Sequence, residues 1–344
     1  MKKAWLLILA VVLALGAAGC STTSSGQEKD TITIAWLPNE SGDDSKEARN
    51  EVGAIVERAT GKKVEHKTTT DYIIAVESIA NGNADLAFMG AEGYIQAHDK
   101  NQKVLPLVVP SGKSGTLDDA VYYSWLNVKK GNEDQYKSGD GFSIDNIVGK
   151  KFSFVSNNST SGFKVPTAGI VSHFSKQEQY KAMSSEDLLE GGSGKFFSEV
   201  LYGGSHQGSA VNLLTGKADV AAFCDTCVNN YIELADGTKN KPGAVYRVKQ
   251  DAAEPFNTLH GQEFVSISVT PVLNSPFVIN TETVNEEVQK KILAAFTSDD
   301  TANNPKIFVP KDSKFSGFYE KSSGKEHFVQ VEDAWFNPVR ELSK

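Results

Sequence analysis

The chain is 344 residues long and carries 35 Lys and Arg against 43 Asp and Glu, a formal net charge of −8, with three cysteines. That acidic balance excludes the basic footprint of a nucleic-acid binder and any polybasic membrane patch, so an anionic ligand has to be held by local donors against the overall field. The length is enough for two lobes of ordinary size.

Residues 1–19 open with Lys2 and Lys3, run apolar from Ala4 to Leu15 and end in small residues before Cys20. The pattern predicts a secretory signal peptide and not an element of the fold. Small residues directly ahead of a cysteine resemble the bacterial lipoprotein processing site, which implies that Cys20 becomes a lipidated N-terminus. Residues 20–30 then read as that cysteine and a flexible polar tether. Loss of Lys2 and Lys3 takes the charge from −8 to −10. No later segment reads as a membrane span, so the expected body is extracytoplasmic and held at the bacterial cell membrane by lipid.

Ile32 to Leu37 predicts a strand. Val52, Ile55, Val56 and Ala59 recur at helical spacing up to Gly61, Val64 to Lys67 predicts a second strand, Ile73 to Ala80 a helix, and Ala84 to Met89 a third strand. Strand and helix alternate, which favours a largely parallel sheet covered by helices. The alternation resumes after a strand from Ala120 to Lys129 and a polar loop, with a strand closing at Val155, a helix over 163–174, strands at 200–203 and 218–223, and a helix over 210–215 between them. Val265 to Val269 and Phe277 to Asn280 read as strands. Thr283 and Glu286 are spaced as a capping box for a helix through Phe296, and Ala334 to Leu342 closes the chain as a short helix.

Within the second unit, Ser159, Thr160, Ser161 and Gly162 stand between a strand and a helix. First-turn N–H groups lack intrahelical partners and carry partial positive charge, so hydroxyls and a glycine placed there suit an oxyanion. The plainer alternative is a serine N-cap. Cys224 and Cys227 form a Cys-x-x-Cys pair that outside the cytoplasm either forms a tight disulfide or stays reduced. A metal site needs further ligands and His206 alone is near in sequence, so neither a metal nor a cofactor is expected.

Four stretches in the same order resemble the substrate-binding proteins of phosphonate, phosphite and phosphate-like ABC transporters. They are Thr70-Asp71-Tyr72 with Gly82 to Phe88, Asn158 to Phe163 with Val165-Pro166, Gly204-Ser205-His206 with Gly216 to Ala222, and Asp333 to Leu342. The resemblance implies an α/β, two-lobed type II periplasmic-binding-protein fold with a ligand cleft between lobes. Residues 31–119 and 281–344 are expected to form lobe 1, and 120–280 lobe 2. It also implies ligand contacts from Tyr72, Ser159, Thr160, Ser161 and His206, with Asp225 at a position where relatives place an acid beside the ligand amine. Asp225 is equally suited to holding its own turn together. The expected function is a monomeric, non-enzymatic lipoprotein that captures a small tetrahedral oxyanion or organophosphonate by hinge closure and passes it to an ABC permease. Two rival readings are a receptor for an amino acid, with Asp225 on its ammonium, and a surface hydrolase using Ser159 or Ser161 with His206.

Overall fold

Alternation in two strands decides how the chain is layered. In Thr31–Trp36, Ile32, Ile34 and Trp36 point into one core with Val52, Ile55 and Val56, whereas Ala35 on the opposite face joins a second core with Val76 and Ile79. In Val121–Lys129, Leu126 and Val128 pack with Ile170 and Phe174, and Trp125 turns the other way onto Ala210 and Leu213. Each strand therefore lies in a sheet covered on both faces. The computed structural model describes residues 29–311, 313 and 317–342; the expected signal peptide, Cys20 and the tether up to residue 28 lie outside the described residues.

The first sheet begins with β1 (Thr31–Trp36), β2 (Lys63–Thr68), β3 (Leu86–Phe88) and β4 (Val104–Pro110). The second is built from β5 (Val121–Lys129), β6 (Lys151–Phe154), β7 (Glu199–Tyr202), β8 (Val220–Cys224), β9 (Ile232–Asp236), β10 (Val245–Val248) and β11 (Glu263–Leu273). The chain then returns with β12 (Phe277–Asn280) and β13 (Phe328–Gln330). The strand orders are β13-β4-β12-β3-β1-β2 and β9-β10-β11-β5-β8-β6-β7. The helices that matter for the site are α1 (Lys46–Thr60), α2 (Tyr72–Ala80), α3 (Ala91–Lys100), α4 (Val165–Phe174) and α5 (His206–Leu214), with α6 (Glu286–Phe296) covering the first sheet. Among the described residues no helix is long and apolar enough to cross a membrane.

The expected parallel sheets are mixed. β1 pairs parallel with β2 and β3, and β6 with β7 and β8, but β12 runs antiparallel to β3 and β4, and β5 antiparallel to β8 and β11. The return also comes earlier than residue 281, because Phe277–Asn280 pairs inside the first sheet. Val278 fills one of its cores, and Phe277 and Ile279 fill the other. The crossover is therefore 274–276, where Asn274 Nδ2 donates to Pro110 O at 2.8 Å and Asn274 N donates to Ala120 O, tying the two connections between sheets together. The cap of α6 is Asn285, whose side chain accepts from Val288 N, and not Thr283.

Candidate functional site

The hydroxyl run forms one wide turn, Thr160–Lys164, with Val165 N bonded to Thr160 O before α4 begins. Ser159 caps it, its Oγ accepting from Gly162 N at 3.1 Å. The cap and the anion-binding alternatives are thus compatible, because a hydroxyl that accepts still has its own hydrogen to give. Gly162 is required by packing: a Cβ there would stand 2.2 Å from Val155 Cγ2. Wide turns of this kind often mark functional sites, since they hold backbone off the regular helical path.

Tyr72 and His206 occupy equivalent places, each the first residue of a helix, α2 capped by Asp71 and α5 by Ser205. Asn39 joins them. Its Nδ2 donates to Tyr72 Oη at 2.6 Å, and its Oδ1 accepts from His206 N at 2.9 Å. Cys224 N donates to His206 Nδ1 at 3.0 Å, which places the imidazole hydrogen on Nε2, facing Ser159 Oγ at 3.4 Å. Burial pushes His206 down to about 3, so the ring is a neutral donor. A general base needs a free Nε2 lone pair, and this geometry gives His206 none toward Ser159. The pair therefore lacks the arrangement the hydrolase reading requires.

Thr160 lies at the seam. Its Oγ1 accepts from Glu92 N at 2.9 Å, in the first turn of α3, and leaves the hydroxyl hydrogen for the cavity. Gly90 makes the approach possible, since a Cβ there would stand 2.6 Å from Thr160 Oγ1. Further contacts close the same edge, with Asn158 Nδ2 donating to Gln96 Oε1 at 2.7 Å and Gln207 Nε2 to Asn39 O at 3.1 Å.

These residues enclose one chamber. Tyr72, Ser159, Thr160, Ser161 and His206 all line it, with Asn39, Glu40, Tyr122, Gln207 and Ser275 completing the polar wall. At about 90 Å³ it fits a small ion and falls far below the ~300 Å³ where drug-sized pockets begin. Among the described residues no Lys or Arg lines it. Favourable potential for an anion comes instead from the helix starts at Tyr72, Thr160 and His206 and from hydroxyl donors. Tyr122 bonds to Ser161 and Ser275, and burial pushes its phenol up to about 12, so it too stays a donor. Asn39 and Glu40 were missed by sequence reasoning, although ligand crevices of open α/β sheets lie beyond the carboxyl ends of the strands and both residues directly follow β1.

Asp225 does not join the chamber. Its Oδ1 accepts from Tyr123 N at 2.8 Å and its Oδ2 from Asn240 Nδ2 at 3.0 Å, so the carboxylate serves its own turn, as the local alternative required. Asp225 instead lines a neighbouring cavity with Trp125, Lys239 and Tyr246. Cys224 and Cys227 are joined as a disulfide, which takes both sulfurs away from the His206 cluster that would otherwise present three metal-ligating atoms.

The family model described as ABC transporter, phosphonate, periplasmic substrate-binding protein matches residues 34–336. The chain is 30% identical over 245 residues to the phosphate-import protein PhnD of Mycolicibacterium smegmatis, covering 70% of each. Its fold is similar to that of PhnD1 from Prochlorococcus marinus, solved in complex with methylphosphonate, with a TM-score of 0.61 at 15% identity over 91% of this chain and 97% of that one. A binding-protein component of an ABC phosphonate transporter from Pseudomonas aeruginosa is also similar, with a TM-score of 0.63 at 19% identity over 91% and 85% of the two chains.

Proposed function

Since the chain belongs to the periplasmic phosphonate substrate-binding family of ABC transporters, we propose that its chamber captures a small tetrahedral oxyanion, an alkylphosphonate or inorganic phosphate, outside the cytoplasm. The observation that carries this reading is the convergence of Tyr72, Ser159, Thr160, Ser161 and His206 on one small chamber whose donors, among the described residues, are all neutral. Fixed neutral donors recognise the number and direction of ligand oxygens, whereas a cationic cage attracts any anion of the right charge.

The ligand closes the cleft by touching both walls. Tyr72 belongs to the helices of the first sheet, while the hydroxyl turn and His206 belong to the second, and ligand favours the closed state only through contacts with both. The hinge lies at the two connections tied by Asn274, residues 111–120 and 274–276. In the same reading the protein is a monomer, lipidated at Cys20, tethered through residues 20–30, and it delivers its ligand to a membrane permease. Lobe 1 comprises the first sheet and its helices, and lobe 2 the second. The amino-acid reading required Asp225 in the chamber and loses its support with Asp225 turned away.

Calorimetric titration with methylphosphonate, phosphate and sulfate tests the assignment. Saturable binding of one of the first two, accompanied by a rise in melting temperature with ligand concentration, is the expected result. Heat from none of the three removes the functional reading.

A further inference from the structure

Glu40 has no part in the donor set just described, yet the residue lines the chamber. The residue, half-buried, sits in the short turn Pro38–Glu40 after β1, with Oε2 enclosed and without a hydrogen-bond partner. Two more enclosed atoms on the same lining, Gln207 Oε1 and Tyr319 Oη, also lack partners. The lining residues thus hold two unpartnered acceptor oxygens, on Glu40 and Gln207, and a phenol that can accept as well as donate. A fully deprotonated oxyanion has no hydrogen for an acceptor, and beside an ionised Glu40 it would set like charges together with no Lys or Arg among the described lining residues between them.

On the reading that the chamber holds a phosphonate or phosphate, we propose that Glu40 is a specificity-determining residue whose carboxyl shares one proton with a ligand oxygen, so that the cleft closes only when anion and carboxyl hold that proton between them. The proton comes from a P–OH group of the ligand or from the Glu40 carboxyl itself, and no other bond changes. The groups around Glu40 fit this arrangement. Asp44, which also lines the chamber, adds negative charge. Arg49 of α1 lies close, but its Nη1 donates to the backbone oxygens of Glu40 and Gly42 and not to the carboxyl. Tyr72 of α2, Tyr122 of β5 and Tyr319 all feel the Glu40 charge, and burial raises the pKa of each phenol. His206 of α5 is neutral. Burial holds the Glu40 carboxyl at about 8, so at neutral pH the protein supplies the proton.

Once ligand and carboxyl are both ionised, closing must take up a proton, and affinity falls tenfold per pH unit. The test is calorimetry of the wild-type chain and Glu40→Gln with methylphosphonate and with phosphate between pH 8.5 and 9.5, in two buffers of different ionisation enthalpy. The wild type is expected to lose about tenfold in affinity over that unit and to take up close to one proton per ligand. Glu40→Gln, which retains an N–H donor and does not titrate, is expected to change less than twofold and take up none. A flat wild-type profile with no proton uptake overturns the proposal even if the variant fails to fold, and so does a variant that keeps the wild-type slope. Aminomethylphosphonate binding tenfold or more tighter than methylphosphonate, with the gain lost in Glu40→Gln, also overturns it, because the acceptors would then be serving an ammonium. Absence of wild-type binding to methylphosphonate and phosphate at pH 7 refutes the functional reading itself, and this inference with it.

Discussion

Thr160 joins both walls of the chamber, so on the proposed function its removal gives the most direct measure of how closure is coupled to binding. In the closed chamber its Oγ1 takes the Glu92 N–H at 2.9 Å while its own hydrogen is left for the anion. Thr160→Ala removes a hydrogen bond to a charged group, about 1.5–3 kcal/mol, and leaves the Glu92 N–H unpartnered whenever the cleft shuts, about 1–3 kcal/mol. Because the two losses share one atom they do not simply add, and a total near 3 kcal/mol corresponds to roughly 100-fold in dissociation constant. Thr160→Ser keeps the oxygen and is expected to stay within about fivefold of wild type. Gly90→Ala brings a Cβ to 2.6 Å from Oγ1 and drives the hydroxyl off its position. It is expected to weaken binding about tenfold, but far less in a Thr160→Ala background, a coupling on the order of 1 kcal/mol. Calorimetry with methylphosphonate reads the wild type and all four variants, and ligand-free melting temperatures establish that folding is intact. Thr160→Ala binding within threefold of wild type would refute the reasoning.

Asp225→Ala is expected to leave affinity within threefold while costing about 1–3 kcal/mol of stability in urea unfolding, because Tyr123 N–H and Asn240 Nδ2 lose their acceptor; a large affinity loss at unchanged stability would return Asp225 to the ligand. Replacing Cys224 and Cys227 together with serine opens a loop of four residues, expected to cost about 2 kcal/mol by chain entropy, and loosens the Cys224 N–H that orients His206, so calorimetric affinity should fall as well. For His206 the sign follows from its depressed value. Between its ordinary 6.5 and about 3 the unfolded chain binds a proton that the folded chain does not, so stability falls as pH drops through that window, by roughly 4–5 kcal/mol at full extent. His206→Gln is expected to flatten this acid limb in denaturant titrations from pH 7 to 4, and an unchanged limb would mean that the ring is not buried neutral.

What was legible in the sequence divides by the range of the forces involved. The hydroxyl turn could be read locally, because Ser159 to Gly162 lie between a strand and a helix and their chemistry is set within four residues. The alternation of strand and helix was equally local, and it placed Ile32 to Leu37 and Ile73 to Ala80 within a residue of β1 and α2. Tyr72 and His206 were reached through resemblance, although both are first residues of capped helices and so share the physics of the turn. Membership of a sheet is not local. Phe277–Asn280 reads as a strand from its own residues, but nothing in those four residues says that its partners are Leu86–Phe88 and Val104–Val108, about 170 to 190 residues earlier. The same limit explains Asp225 and Glu40. The sequence pointed to Asp225 as a carboxyl near the cleft and not to Glu40, and where either carboxyl points depends on distant donors. Tyr123 N–H, 102 residues away in sequence, draws Asp225 out of the chamber. Glu40 has no such donor for Oε2 and is left in the wall, so the acid with the clearer sequence signal became structural and the one without a signal lines the chamber.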